Sequence, residues 1–246
     1  MAVEVSVVVP SHKRPGRVVT GDCIANAVVC VPDSQYKQYK EAQPELEYIA
    51  HPDSIKGLTA KRQWIYEEYG NVFMIDDDVK HFKRLYTEKG EQDTLTPEEA
   101  YSMVQWAANM AHMMGAYLFG FNKDANPAAY LEMRPVRLTG YIGGVIGMLE
   151  GSNLYFDTGQ SVVEDYWICA LNAYHHRHMF IDTRFSCVGT DTFGNVGGCA
   201  EYRTKDLERD DTLWLRKKFG EVIALKEDTG LSTRKHEFMR TLKLPF

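Results

Sequence analysis

The sequence lacks the features that would place a chain in a membrane, in an oxidising compartment or on a polyanion by charge alone. No apolar run approaches the roughly 18 residues that a membrane-spanning helix needs. Met1-Ala2-Val3-Glu4 leads directly into a β-branched run, so neither a span nor a signal sequence is expected. Cysteine is sparse: Cys23, Cys30, Cys169, Cys187 and Cys199 are an odd number, five, without C-x-x-C spacing. That argues against a disulfide framework and a zinc knuckle, and predicts reduced, mostly buried thiols. A phosphate loop is missing too. Gly143, Gly144 and Gly147 have no Gly-Lys-Ser/Thr after them, so they predict a bulge or a close backbone approach beside a ligand. Positive charge is not in excess: the formal net charge is −6, so a nucleic-acid partner would need a local basic surface. Repeats, linkers and low-complexity tracts are absent.

What remains is an ordinary globular composition, 44% hydrophobic and 25% charged over 246 residues, long enough for a full α/β core. Val3 to Pro10 is a β-branched run of the kind that enters a sheet covered on both faces. It ends in the polar, basic loop Ser11-His12-Lys13-Arg14-Pro15-Gly16, at the strand edge where open α/β sheets bind ligands. A merely solvated basic loop is the competing explanation. Ala27 to Val31, closing on Pro32-Asp33, and Leu46 to Ala50 read as two further strands. Between Gly57 and Tyr69, Leu58, Ile65 and Tyr69 with Ala60 and Trp64 predict an amphipathic helix with Lys61 and Arg62 in its first turns.

Asn71 to Ile75 is then a short buried strand, and it stops at Asp76-Asp77-Asp78. Three adjacent carboxylates repel one another, so a cation or a solvated turn must accompany them. Spaced D-x-D at a strand's carboxyl end, Asp76 and Asp78 suit Mg2+ or Mn2+, hard cations that leave room for phosphate oxygens and water. An acidic turn is the alternative.

Thr96-Pro97-Glu98-Glu99 carries the signature of a capping box, opening a helix to about Met114 whose Met103, Trp106, Met110, Met113 and Met114 are expected as core filler. Strands are predicted over Ala116 to Phe121, Val136 to Met148 and Phe180 to Val188. Glu164-Asp165 opens a helix through Tyr174, where acids also suit the helix dipole. His175, His176 and His178 crowd its end, which cationic imidazoles favour, and zinc is the lesser reading. A charged helix over Asp206 to Phe219, stopped by Gly220, precedes a last strand at Glu221 to Leu225. The tail sets Arg234, Lys235, Arg240 and Lys243 against Glu237, as a solvated end or as a flap over anionic phosphate.

The order of these parts resembles the GT-A nucleotide-sugar glycosyltransferases. More closely, V-V-V-P-S-H-K-R-P, G-L-T-A-K-R-Q, M-I-D-D-D-V, V-E-D-Y, G-G-C-A-E-Y-R and L-R-K-K-F-G-E-V-I together resemble the TET-associated glycosyltransferases of bacteriophages. The resemblance implies a GT-A-like, Rossmann-related mixed sheet, mostly parallel and flanked by helices, as one catalytic domain over 1–246. About 1–95 would bind the sugar nucleotide, and about 96–246 the acceptor.

It further implies transfer of a sugar from a nucleotide-sugar, foremost a UDP-sugar, to the hydroxymethyl group of 5-hydroxymethylcytosine or another hydroxymethylated pyrimidine in phage DNA. The setting would be the cytoplasm of the infected bacterial cell. On this reading Asp78 and Asp76 hold Mn2+ or Mg2+, with His236 as a loosely matched third ligand. Pro10, Ser11, His12, Arg14, Asp33, Lys61, Arg62, Asp76 and Asp77 contact the donor. Asp165 is the general base and Glu164 orients base or acceptor, which gives inversion. Lys80, Lys83 and Arg84, or Arg216, Lys217 and Lys218, would supply the local basic surface for DNA, with an ordinary solvated face the competing reading for each group. Two other readings stand beside it: a GT-A enzyme acting on a polysaccharide, protein or small molecule, and a non-catalytic nucleotide- or DNA-binding module.

Overall fold

A computed structural model describes residues 2–189, 202–225 and 238–244. The β-branched run at the start forms β1 (Ser6–Pro10). Then follow β2 (Ala27–Pro32), α1 (Tyr36–Ala42), β3 (Glu47–His51), α2 (Leu58–Tyr69), β4 (Val72–Ile75) and β5 (Val79–Arg84). The second half contributes α3 (Pro97–Met113), β6 (Leu118–Asn122), β7 (Val136–Arg137), β8 (Val145–Met148), α4 (Glu164–His175), β9 (Phe180–Gly189), α5 (Lys205–Phe219), β10 (Ile223–Leu225) and β11 (Arg240–Leu242).

The first nine strands form one sheet in the order β3-β2-β1-β4-β8-β6-β9-β5, with β7 also on β9. Pairings are parallel among β1 to β4 and between β6 and β9, and antiparallel for β8, β5 and β7. The expected mixed sheet, mostly parallel in strand direction and flanked by helices, is therefore present. β10 and β11 pair separately.

Both faces of the sheet are covered, which explains the continuous apolar runs. Val7 and Val9 of β1, with Phe73 and Ile75 of β4, belong to one core that includes Val104, Ala107 and Ala111 of α3. Val8, Val72 and Met74 point the other way, into a second core with Ile65 of α2, Ile168 of α4 and Leu215 of α5. This period-two division is what strand geometry imposes. The helices start and stop by local chemistry. Thr96 Oγ1 accepts from Glu99 N–H at 3.2 Å and Glu99 Oε2 accepts from Thr96 N–H at 2.9 Å, completing the capping box. Gly70, at φ +66°, ends α2 in a left-handed conformation that favours glycine.

Several expectations are corrected. In α3 the buried face is Ala100, Met103, Val104, Ala107, Ala108 and Ala111, whereas Trp106, Met113 and Met114 are exposed, because small residues let the helix lie close to the sheet. The strand expected over Val136 to Met148 with an interruption at Gly143, Gly144 and Gly147 is broken more widely, into two strands with different partners: β7 pairs with β9, and β8 pairs with β4 and β6. Gly140 and Gly144 take positive φ between them, and a Cβ at Gly147 would overlap the Phe119 ring. β5, expected only as a source of cations, is a strand because β9 offers it a ladder. Cys23, Cys30 and Cys169 are free and buried and Cys187 is free and half-buried; Cys199 lies outside the described residues. No helix among the described residues is long and apolar enough to cross a membrane.

Candidate active site

The chain passes from β1 to β2 and β3 on one side, then returns to β4 on the other side of β1. The carboxyl ends of β1 and β4 are thus the switch point at which open α/β sheets form a crevice. A cleft of about 660 Å³ opens there. On its walls stand Pro10, Ser11, His12, Lys13 and Arg14 after β1, Lys61 and Arg62 of α2, Asp76, Asp77 and Asp78 after β4, and Glu164 and Asp165 of α4.

The three acids have separate partners. Asp77 is buried, accepting from Ser11 Oγ and Arg14 Nη1, so it ties the basic loop to the end of β4. Thr20 fixes the turn beneath: its hydroxyl donates to the Asp76 carbonyl at 2.6 Å and accepts from Val79 N–H at 3.0 Å. Asp76 Oδ1 accepts from Arg62 Nη2 at 2.8 Å. Asp76 keeps 37% of its side chain exposed. Desolvation by the surrounding protein raises its pKa to about 6; Arg62 opposes the shift, while Asp78, Asp77 and Asp165 add to it. Asp78 lies 3.9 Å from Arg14 Nη1.

Lys61 and Arg62 lie in the first turns of α2, as the sequence predicts. They are buried, because the first turns of α2 face the cleft rather than water. Lys61 Nζ donates to the Ser11 carbonyl, and Arg62 reaches both Asp76 and Glu164, the latter at 3.9 Å.

On the opposite wall the start of α4 is held by the chain around it. Asp211 Oδ2 accepts from the N–H groups of Ser161 and Val162 at 2.7 and 2.8 Å, and Gln160 Oε1 accepts from Val163 N–H at 3.3 Å. Glu164, at the first helical position, has its carboxyl pushed up by burial and by the neighbouring Asp165 charge, with Arg62 pulling the other way. Asp165 accepts from the Tyr141 hydroxyl through Oδ2 and from Tyr166 N–H at 2.8 Å through Oδ1.

Other expected residues fall elsewhere. Asp33 is exposed and does not line the cleft; the short 3-10 turn it opens instead brings Ser34 to Asp53, whose Oδ1 accepts from the Ser34 hydroxyl at 2.8 Å. Asp53 and Ser34 do line the cleft, and neither carried a motif; Tyr202 and Arg203, which close the G-G-C-A-E-Y-R stretch, line it too, although no site role was expected of them. His236 lies outside the described residues, as do Arg234, Lys235 and Glu237. Arg240 is neither solvated nor a flap: it is buried against Glu208 at 2.7 Å. Of the basic surfaces, Lys83 pairs with Asp93 at 3.0 Å and Arg84 with Glu99 at 2.7 Å, while Lys80 is exposed. On α5, Arg216 lies 3.7 Å from Glu221 and Lys218 lies 5.5 Å from the centre of the Trp214 ring. His175, which ends α4, and His176 and His178 after it form no metal-binding group among the described residues: His178 Nε2 lies 3.0 Å from the Met114 carbonyl, and the His176 ring lies 4.6 Å from that of Tyr117.

The cleft therefore gathers the acids that follow β4 and those that open α4, with Arg62 between Asp76 and Glu164. Residues 5–198 match the family model of the TET-associated glycosyltransferases. The chain belongs to that family. No curated protein matches the sequence. Among solved structures, the crystal structure of S. aureus TarS 1-349 is similar over 87% of this chain, at 11% identity and a TM-score of 0.49. The match spans 66% of that structure's chain.

Proposed function

We propose that the protein transfers a sugar from a nucleotide-sugar, with UDP-sugars the first to try, to the hydroxymethyl group of a hydroxymethylated pyrimidine in DNA, 5-hydroxymethylcytosine foremost. The observation that supports this most, beside family membership, is the pairing of Asp76 and Asp78 with Glu164 and Asp165 across one cleft at the strand ends. Such a reaction needs charge neutralised on one side of the anomeric carbon and a proton removed on the other.

On the donor side, Asp76 and Asp78 offer only hard carboxylate oxygens to the cleft. That donor set fits Mg2+ or Mn2+, with diphosphate oxygens and water completing the shell. Among the described residues no third acid, His or Cys joins them. The ion would supply neutralisation of charge developing on the diphosphate. Arg14 and the loop from Pro10 to His12 line the same wall and would position the diphosphate and nucleoside.

On the acceptor side, Asp165 takes the proton of the hydroxymethyl group. The freed oxygen bonds to the anomeric carbon while the bond from that carbon to the diphosphate oxygen breaks. The nucleoside diphosphate leaves with the bonding pair, and the anomeric centre inverts. Glu164, held near Arg62, orients the acceptor or the base. A hydroxymethyl group on carbon 5 points into the major groove, and flipping the nucleotide brings it closer still.

The test incubates the purified protein and Mn2+ with hydroxymethylated or unmodified DNA and a panel of nucleotide-sugars, then weighs the released nucleosides. A mass gain of one sugar on the hydroxymethylated nucleoside alone is expected. Donor consumption with both DNAs unchanged would instead favour another acceptor.

A further inference from the structure

We infer that Tyr141 is a positioning residue for Asp165, holding the carboxylate for proton transfer through its phenol hydroxyl. The inference rests on the proposed role of Asp165 and adds a residue that does not line the cleft. Tyr141 Oη donates to Asp165 Oδ2 while Tyr166 N–H donates to Oδ1 at 2.8 Å, so both carboxylate oxygens are fixed by donors. A carboxylate with both oxygens engaged cannot rotate about its terminal bond without breaking one of them, and its remaining lone pairs face a constant direction.

The ring that carries the hydroxyl is itself held. It lies 4.5 Å from the Tyr166 ring, and the Lys123 ammonium sits 4.3 Å from its centre. The backbone makes room for it: a Cβ at Gly143 would overlap the Tyr141 hydroxyl, so glycine at 143 is what lets the phenol stand where it does. One residue on, the Gly144 carbonyl accepts from Asp76 N–H at 3.2 Å, with Gly144 at φ +76°. The segment from Tyr141 to Gly144 thus touches the base through a side chain and the donor-side acid through a carbonyl. It fixes the spacing between the two walls. Burial, with the Asp165 charge beside it, pushes the Tyr141 phenol well above its ordinary pKa, so it remains a donor.

Tyr141→Phe removes one oxygen and keeps the ring. Expected is a fall in kcat of about 10- to 100-fold on hydroxymethylated DNA, the range for a hydrogen bond to a charged group, with donor KM within about twofold. A ring that only packs would leave kcat alone, and an unchanged kcat overturns the inference. Should Tyr141→Phe fail to fold, 3-fluorotyrosine at 141 preserves ring and hydroxyl and changes only the acidity. Then kcat must move while donor KM does not, and constancy of both overturns it. Hydrolysis of the donor without DNA, in which Asp165 would activate water, is followed in parallel. Wild-type protein that hydrolyses donor but never labels DNA sinks the DNA reading, whereas undiminished hydrolysis in Tyr141→Phe sinks the role of Tyr141.

Discussion

The guanidinium of Arg62 joins the two walls of the cleft: Nη2 lies 2.8 Å from Asp76 Oδ1, and Nε lies 3.9 Å from Glu164 Oε1. Only 1% of the side chain is exposed, so these carboxylates are its counter-charges in place of water. A buried cation so placed sets the distance between the acids and offsets their repulsion. Arg62→Met should lower the unfolding free energy by about 1–3 kcal/mol, less than for a wholly buried pair because Asp76 meets solvent in the cleft. Urea unfolding measures this, and an unaltered midpoint would remove the structural role.

Asp78 can be tested apart from the fold. It is partly exposed, and Arg14, 3.9 Å away, is also held by Asp77. Asp78→Ala should leave thermal stability near wild type and abolish the gain in donor affinity that Mn2+ brings, a loss of at least about tenfold. Calorimetric titration of donor with and without Mn2+ reads it directly. A variant whose titration still responds to the metal would exclude Asp78 as a ligand.

For the base, Asp165→Asn keeps the shape and the acceptor that Tyr141 needs and removes the capacity to take a proton. Turnover should fall by about 10²- to 10⁴-fold while donor affinity stays within about twofold. Normal turnover in a folded, donor-binding variant would reassign the base, and Glu164, the adjacent acid on the same wall, would be next.

The acids after β4 and at the start of α4 were legible as residues of a strand-end cleft because each group announces itself over a few residues. An apolar run ending in Asp76-Asp77-Asp78 is a strand meeting a ligand edge, and Glu164-Asp165 at a helix start is a local pattern. Tyr141 was not legible. Its importance comes from a contact 24 residues away in sequence, made possible by the absence of a Cβ at Gly143, and neither periodicity nor composition encodes that. Asp53 and Ser34 were missed for the same reason, since their hydrogen bond joins two loops. β5 hid behind its charges: V-K-H-F-K-R shows cations first, and only pairing with β9 makes it a strand. α1 has seven residues and one buried side chain, Tyr39, too short a stretch for a helical period to show.

Arg240 shows how a tail that reads as solvated can instead carry the site. Its Nη1 donates to Glu208 Oε2 at 2.7 Å and to Thr212 Oγ1 at 2.9 Å, and Nη2 donates to the Val162 carbonyl at 3.3 Å, two residues before Glu164. Arg203 adds a second cation to Glu208. Burial alone would raise the Glu208 carboxyl, but the hydrogen bond and charge of Arg240, joined by those of Arg203, outweigh it and hold the group below its ordinary 4.5. A depressed folded pKa gives stability that is present above the unfolded value near 4.5 and lost as pH falls through the lower folded value. Glu208→Gln should therefore cost about 1–3 kcal/mol at pH 7. The gap from wild type should narrow as both proteins are taken down through the folded value below 4.5, where wild-type Glu208 becomes protonated and loses its charge. Urea unfolding at neutral and acid pH measures both gaps. A gap that stays constant across that range would mean that Glu208 contributes by packing rather than by charge.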